Sequence, residues 1–359
     1  MHTLFSADLA YLSRREFLTR SASGLLSLFA LPFLGKYERF ERLEQIGSPI
    51  NSSPIRMGRA TDDTVPVYDR PSFSARLKRM YYRDVIFTID EVIFGDDQPA
   101  YNRVWYRVNG EGYAHSGKIQ PVELRLNKTA ASVPAEGRLA EVTVPFTDVT
   151  ANIKDASQIA YRLYYATVHW VTGIARGGQG ETWYSIYDDK FKKTYYARAE
   201  HFRMLDPADT APISPAVAPE DKRIEVWLAD QLVIAYENGV PALITKTATG
   251  GRFSDGDYST PTGNYITSRK RPSRHMASED LAAANSYDLP GVPWVSYLTR
   301  SGISFHGTFW HNDFGKPRSH GCVNLSTSAA QWIYRWTLPQ VPFEKQTLDD
   351  ETGTRVFVL

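Results

Sequence analysis

The chain of 359 residues is long enough for two or three domains, and its 41 basic and 40 acidic residues give a net charge of +1. This balance excludes a broad basic surface, so we expect no nucleic-acid partner. The single cysteine, Cys322, excludes an intramolecular disulfide and a cysteine-based zinc finger or iron–sulfur cluster. Its thiol is therefore either inert packing or a reactive group.

The amino-terminal residues 1–35 have the layout of an export signal. Arg14 and Arg15 precede the apolar run Leu25–Leu34, and the charged part resembles a twin-arginine signal. The run is shorter than the roughly 20 residues that span a bilayer. We therefore predict that the rest of the chain works outside the cytoplasmic membrane, with this segment either cleaved or retained as an anchor. The alternative is an amphipathic helix that caps the fold.

The next part of the chain contains an internal repeat. Thr64–Asp69 recurs as Thr143–Asp148, and Trp105–Val108 recurs as Trp183–Ile186. Both copies consist of short β-branched and aromatic runs separated by turn residues, a pattern typical of small β-barrels.

We therefore expect a linker over 36–62 and two β modules over 63–125 and 140–205. The first module resembles bacterial SH3-like domains at Trp105–Val108 and Gly112–Gly117, and the second resembles them more loosely. This resemblance implies binding of cell-wall polymer. The alternative, that the modules are only spacers, has about equal weight.

A proline-rich stretch over 206–221 is predicted to be a second linker that marks the domain boundary before 222–359. In this last part, Arg223–Leu228 and Gln231–Glu237 predict a hairpin, and Ser326–Trp336 predicts a helix with Ala329, Ile333 and Trp336 on one face. The fold class is therefore mostly β: two small SH3-like barrels followed by a β-rich domain with one or two short helices.

The chemistry is predicted around Cys322, which ends the segment Ser319–Cys322 and follows His306 by sixteen residues. A nucleophilic thiol needs a base and N–H donors that stabilise an oxyanion. His306 suits the first role, and a turn at Gly321 directs backbone N–H groups at one oxygen for the second.

Residues 222–359 resemble an L,D-transpeptidase catalytic domain, through His306-Gly307-Thr308 and Ser319-His320-Gly321-Cys322-Val323-Asn324-Leu325. The resemblance implies that Cys322 is the nucleophile, that His306 is the general base and acid, and that the Gly307 carbonyl orients the imidazole. It also implies an oxyanion hole formed by the N–H groups of His320, Gly321 and Cys322 in the turn that begins at Ser319. Asn324, His275 and Met276 are the implied substrate contacts. Asn324 stands where the family has either Arg or Asn.

The implied reaction is attack on a peptidoglycan stem peptide, release of D-Ala, and transfer of the thioester to an amine, which forms a 3-3 cross-link. Transfer to water would make the enzyme an L,D-carboxypeptidase. The expected partners are stem peptides and, through the modules, wall polymer, with no metal or organic cofactor and membrane contact only through residues 1–35.

Three rival interpretations carry less weight. A zinc site would use the side chains of His275, His306, His311, His320 and Cys322, whose spacing matches no standard metal pattern. Papain-like and caspase-like peptidases place Cys and His at other spacings. An inactive wall-binding scaffold is disfavoured because both Cys322 and His306 are present. We expect His311 itself to be a lid or surface residue, and the alternative is that it lines the site.

Overall fold

The computed structural model describes residues 56–359 apart from Asp97, 279–280 and 282–285. The predicted export signal, residues 1–35, and residues 36–55 of the predicted linker lie outside the described residues. No helix in the described ranges is long and apolar enough to cross a membrane.

The first sheet has seven strands in the order β3-β2-β6-β5-β4-β1-β7. Alternation of buried and exposed residues is clearest in β2, where Val65 and Val67 enter the core. Strand β1 falls inside the predicted linker 36–62, yet it pairs with both β4 and β7, so that linker prediction extends too far. The strands are β1 (Arg56–Ala60), β2 (Thr64–Tyr68), β3 (Leu77–Tyr82), β4 (Ile86–Phe94), β5 (Val104–Val108), β6 (Gly112–His115) and β7 (Ile119–Val122), with a 3-10 turn at Ser116–Lys118.

The second sheet repeats this strand order as β10-β9-β13-β12-β11-β8-β14. The repeated tryptophans occupy equivalent places, because Trp105 pairs with His115 on β6 and Trp183 pairs with Arg198 on β13. Likeness of either sheet to SH3 domains stays a prediction. The strands are β8 (Arg138–Val142), β9 (Phe146–Thr150), β10 (Ile159–Tyr164), β11 (Val168–Arg176), β12 (Thr182–Asp188), β13 (Lys193–Arg198) and β14 (Phe202–Met204), with a 3-10 turn at Ala199–His201.

The carboxy-terminal region, residues 222–359, contains two five-stranded sheets, β17-β16-β15-β26-β20 and β24-β23-β22-β21-β25, and a small β18-β19 hairpin. A short helix α1 (Pro207–Thr210) and a 3-10 turn (Pro219–Asp221) precede it. Its elements are β15 (Lys222–Trp227), β16 (Leu232–Glu237), β17 (Val240–Lys246), β18 (Arg252–Phe253), β19 (Gly256–Asp257), β20 (Gly263–Ile266), β21 (Arg269–Ala277), β22 (Asp288–Tyr297), β23 (Ser304–Gly307), β24 (Val323–Leu325), α2 (Thr327–Trp336), β25 (Leu348–Asp349) and β26 (Arg355–Val358).

The local predictions for this region are confirmed. The predicted hairpin is β15 paired antiparallel with β16. The predicted helix is α2, which begins after Ser326, whose side chain accepts a hydrogen bond from the Ala329 N–H and caps the first turn. Ala329, Ile333 and Trp336 are buried on one face of α2. The mostly β class is therefore confirmed.

The proline-rich stretch 206–221 is not a free spacer. The Arg335 Nε donates to the Ala211 carbonyl at 2.8 Å, and the Ile213 N–H donates to the Arg335 carbonyl at 3.1 Å. Leu139 and Trp170 of the second sheet share one hydrophobic core with the carboxy-terminal region. Deletion of the second sheet would therefore expose apolar surface of the region that follows it.

Strands β23 and β24 position the candidate site. They pair in parallel with His306 opposite Asn324 and Phe305 opposite Val323. Side chains alternate along a strand, so Phe305 and Val323 enter the shared core on one face. Ser304, His306, Cys322 and Asn324 therefore share the other face.

Candidate active site

Cys322 lies immediately before β24 with a half-buried side chain. The thiol lies 3.8 Å from the Gly302 carbonyl oxygen, to which it donates, and 3.8 Å from the Ser304 hydroxyl. Burial raises the pKa of the Cys322 thiol, and hydrogen bonds from Ser304 oppose this rise. The sulfur therefore rests as a thiol at neutral pH.

His306 is buried, and its Nδ1 lies 3.1 Å from the Gly307 carbonyl oxygen. A carbonyl only accepts hydrogen bonds, so in the neutral ring Nδ1 carries the proton and Nε2 carries the lone pair. Burial lowers the pKa of His306 to about 4, although the Gly307 carbonyl opposes this. His306 is thus a neutral ring with an unprotonated nitrogen, as a general base requires.

The resting thiol and imidazole are not joined directly. Among the described residues, the hydrogen bonds of the Cys322 sulfur go to Ser304 and Gly302 instead of His306. Catalytic hydrogen bonds often tighten only when substrate binds. The arrangement is therefore a neutral pair on one sheet face and not a preformed thiolate–imidazolium ion pair.

Gly307 is required by close packing. A Cβ there would lie 2.8 Å from Pro293 Cγ and 3.2 Å from Thr327 Cα. The absence of a side chain lets the end of β23 contact both β22 and the start of α2, and this contact places the carbonyl that orients His306.

The turn before Cys322 depends on Gly321, whose φ of 114° suits glycine. The Ser319 hydroxyl donates to the Cys322 carbonyl at 2.5 Å and accepts from the Gly321 N–H at 3.2 Å. Thr260 also holds the turn, since its hydroxyl donates to the Gly321 carbonyl at 2.8 Å. The Gly321 N–H is thus committed to Ser319 and does not match its expected oxyanion role, while Ser319 braces the turn.

Asn324 and His311 form a buried pair that sequence reasoning missed. The Asn324 amide lies 3.2 Å from His311 Nε2, and His311 Nδ1 accepts from the Asp313 N–H at 3.2 Å. The Asn324 atom that faces His311 Nε2 is the amide nitrogen, Nδ2. Burial lowers the pKa of His311 to about 3, which keeps the ring neutral. The prediction that His311 is a lid or surface residue is wrong, because only 4% of its surface is exposed.

His275 and Met276 do not match their expected substrate contacts. His275 is buried, with Nδ1 2.7 Å from an Asp188 oxygen and Nε2 2.6 Å from an Asp288 oxygen. Both ring nitrogens are therefore engaged by carboxylates, and His275 joins the second sheet to β21 and β22. Met276 packs against an apolar cluster that contains Val292.

His320 is exposed at the edge of the site, where its ring lies among aromatic side chains. Its ring centroid is 4.3 Å from that of Tyr258, 6.0 Å from Phe253 and 6.1 Å from Tyr287. Burial raises the pKa of Tyr287. This aromatic edge was not predicted, although Tyr258 precedes Thr260 by only two residues.

The histidines proposed as zinc ligands have different surroundings. His275 lies between carboxylates, His311 beside Asn324, and His320 among aromatic rings. Among the residues that the structure describes, no three His, Cys, Asp or Glu side chains are grouped as metal ligands.

A large cavity of about 870 Å³ lies in the second sheet, away from Cys322. Trp183, Arg198 and Lys154 are among its lining residues. At the equivalent place in the first sheet, the Phe73 ring covers Trp105 with a centroid distance of 4.8 Å. The second sheet therefore presents an open cleft where the first is covered by its own side chain.

Part of the chain is similar to a known protein family. Residues 221–358 match the family model described as the YkuD L,D-transpeptidase catalytic domain. A search of curated proteins finds no match.

Solved structures similar to this chain are L,D-transpeptidases. An Enterococcus faecium L,D-transpeptidase mutant is 22% identical with a TM-score of 0.30, over 39% of this chain and 50% of that chain. The catalytic domain of the E. faecium L,D-transpeptidase is 25% identical with a TM-score of 0.30, over 39% of this chain and 98% of that chain. L,D-transpeptidase 3 from Mycobacterium tuberculosis is 18% identical with a TM-score of 0.31, over 47% of this chain and 75% of that chain. The chain thus spans about half the length of the longer Enterococcus protein. The similarity to a known family thus covers residues 221–358, which match the L,D-transpeptidase catalytic domain model.

Proposed function

We propose that this protein is a peptidoglycan L,D-transpeptidase in which Cys322 is the nucleophile and His306 is its base. The observation that carries the proposal is the shared face of β23 and β24, where the Cys322 sulfur and a neutral imidazole lie on adjacent strands. A base with a protonated Nδ1 and an open Nε2 is what a resting thiol needs before it attacks a carbonyl.

The proposed reaction proceeds in two transfers. His306 Nε2 takes the thiol proton while the Cys322 sulfur attacks the carbonyl between the third stem residue and D-Ala. The tetrahedral oxyanion then collapses, the C–N bond breaks, and His306 returns the proton to the departing D-Ala amine. A side-chain amine of a second stem next attacks the thioester and loses its proton to His306. The C–S bond then breaks, and the thiolate regains that proton.

The same site supports hydrolysis when water replaces the amine, which would make the protein an L,D-carboxypeptidase. The two outcomes differ only in the acceptor. The chemistry needs no metal or organic cofactor, because a thiol, an imidazole and backbone donors supply each step. Within the turn, the His320 and Cys322 N–H groups are the proposed oxyanion donors, since the Gly321 N–H already bonds Ser319.

The proposal places Asn324 and the aromatic edge around His320 on the donor side of the site. Asn324 contacts His311 through its amide nitrogen and lies opposite His306 in the β23–β24 pair. Tyr258 and Tyr287 supply apolar surface with hydroxyl groups, which suits a peptide that carries both methyl and polar groups.

We further propose export through residues 1–35 and contact with wall polymer through the second sheet. Its cleft of about 870 Å³ supports this role for the second sheet in preference to the first, whose equivalent surface is covered by Phe73. Partners are thus stem peptides at Cys322 and wall polymer at the cleft.

The test uses a disaccharide–tetrapeptide as donor, with and without a second stem as acceptor, and mass spectrometry of the products. We expect D-Ala release and a cross-linked dimer from the native protein and neither product from Cys322→Ala or His306→Ala. A dominant tripeptide product would favour the carboxypeptidase. Equal D-Ala release by the Cys322→Ala protein would refute the proposal.

A further inference from the structure

The loop between His306 and Cys322 leaves the sheet after β23 and returns at β24. It contains buried side chains, among them Phe309, His311 and Asp313. Its backbone has no partner strand between Thr308 and Arg318. Contacts that hold this loop therefore add to the β23–β24 pairing in placing His306 relative to Cys322.

Part of that support comes from the first sheet, through Arg59 on β1. Arg59 is 2% exposed, and its Nη2 donates to the Phe309 carbonyl at 2.7 Å. Phe309 lies three residues after His306. A charge-assisted bond of this length to a backbone carbonyl is strong and directional.

The guanidinium is itself fixed on every side. Its Nη1 bonds Asp84 at 2.8 Å, and its Nε and Nη2 both bond the Gln120 amide oxygen, at 3.1 and 2.8 Å. The ring of Tyr164, from the second sheet, lies 4.0 Å from the guanidinium carbon. Tyr164 also stacks on the Phe309 ring with a centroid distance of 5.3 Å. A buried charge with this many partners has one low-energy position, so Arg59 presents a rigid donor to the loop.

A second contact anchors the loop further along. The Asn312 N–H donates to the Gly117 carbonyl of the first sheet at 3.1 Å. Gly117 admits this approach only because it has no side chain: a Cβ would lie 2.6 Å from an Asp313 oxygen. Asp313 pairs with Lys316 and Arg318, each at 2.8 Å, within the same loop. The first sheet thus holds the loop at two points, before and after His311.

We infer that Arg59 is a positioning residue for catalysis: the first sheet holds the Phe309 carbonyl and thereby fixes His306 against Cys322. This inference rests on the proposed Cys322 acyl transfer. The first sheet would then support the position of the catalytic residues and would not be only a spacer or a wall-binding module.

The test compares Arg59→Gln with Arg79→Gln in the full chain. Arg79 makes the matched control, since it lies in the same sheet and also pairs with an acid, Glu111, but its side chain is 55% exposed. The readouts are the rate at which a carbapenem acylates Cys322, the kcat and KM for D-Ala release, and the pH dependence of acylation.

We expect Arg59→Gln to lower the acylation rate and kcat by about 10- to 100-fold, with KM changed less than about threefold, because misplacement by roughly 1 Å costs that much. Arg79→Gln should leave all three unchanged. A loosened loop admits water to His306, so its pKa should rise from about 4 towards the ordinary 6.5, and the acid limb of acylation should move up with it. His311 is the titratable residue of this loop that interacts electrostatically with His306. Its ring stays neutral, because burial lowers the pKa of His311 to about 3.

Further measurements distinguish misfolding of the variant, failure of this inference and failure of the proposed function. If Arg59→Gln does not fold, Arg59→Lys keeps the charge beside Asp84 but lacks the fork that reaches both Gln120 and Phe309, and it should show the same changes to a smaller extent. A folded Arg59→Lys or Arg59→Gln protein with native rate and native acid limb would overturn the inference. Absence of any Cys322 adduct in the native protein would instead overturn the proposed function.

Discussion

Replacement of His275 by glutamine separates a substrate contact from a structural bridge. The imidazole lies between Asp188, whose side chain is 2% exposed, and Asp288, whose side chain is 41% exposed. Burial lowers the pKa of His275, but its bonds to Asp188 and then Asp288 outweigh this, so the pKa is raised overall. The protonated ring therefore stabilises the folded state.

The expected loss of stability in His275→Gln comes mainly from the bond between His275 and Asp188. Removal of one partner from a buried ion pair costs about 3–5 kcal/mol. Glutamine keeps one amide N–H for Asp188, which recovers about 1 kcal/mol, and the exposed Asp288 side contributes little. We expect a loss of about 2–4 kcal/mol in the free energy of unfolding, or a fall in Tm of roughly 5 °C or more for a chain of this size.

The pH dependence has a definite sign. A histidine whose folded pKa is raised stabilises fully below its unfolded pKa, about 6.5, and the stabilisation is lost as pH rises through the folded pKa. The difference in Tm between the native protein and His275→Gln should therefore be largest near pH 6 and smaller near pH 9.5. Thermal unfolding followed by circular dichroism at these two pH values measures it.

The same variant tests the role in substrate binding. Because both nitrogens of His275 bond carboxylates, we expect KM for the stem peptide to stay within about twofold at temperatures well below Tm. A tenfold rise in KM without a change in Tm would refute the structural bridge and restore the substrate contact expected from the sequence.

Three further changes give distinct expectations. Ser304→Ala removes the hydroxyl that lies 3.8 Å from the Cys322 sulfur. The loss should cost about 1 kcal/mol of thiolate stabilisation and slow acylation by a carbapenem roughly fivefold. An unchanged acylation rate would show that the hydroxyl does not stabilise the thiolate. Gly321→Ala forces a φ of 114° on a residue with a Cβ. We expect the free energy of unfolding in urea to fall by about 1–3 kcal/mol and the acylation of Cys322 to slow. A native free energy of unfolding together with a native acylation rate would contradict the role of this turn. Lys154→Glu in the cleft should reduce the amount of protein that sediments with purified cell wall and leave the rate of Cys322 acylation unchanged. Lys78→Glu in the first sheet should change neither quantity. Equal binding to the wall by both variants would show that the cleft does not bind wall polymer.

Sequence patterns predicted the strands and the helix that depend on residues close together in the sequence. The alternation in Arg223–Leu228 and the spacing of Ala329, Ile333 and Trp336 depend only on neighbours within a few residues, and they gave the β15–β16 hairpin and α2 correctly. The Cys322–His306 pair is predicted from a lone cysteine that follows a Ser-His-Gly turn, and its catalytic role stays a prediction.

The errors concern contacts between distant parts of the chain. Asp188 is 87 residues from His275, and Phe309 is 250 residues from Arg59, so no local period connects them. The boundary over 206–221 stays a prediction, but the composition of this stretch does not show that Ala211 and Ile213 bond Arg335 near the end of α2. Buried polar pairs such as Asn324 and His311 are equally invisible, since each residue alone is usually exposed.

The central claim is that Cys322 is an activated nucleophile in an acyl-transfer site. Intact mass spectrometry after exposure to a carbapenem, run beside Cys322→Ala, tests it most directly. We predict one covalent adduct on the native protein and none on the variant. No adduct on folded native protein, or an adduct that persists in Cys322→Ala, would contradict it.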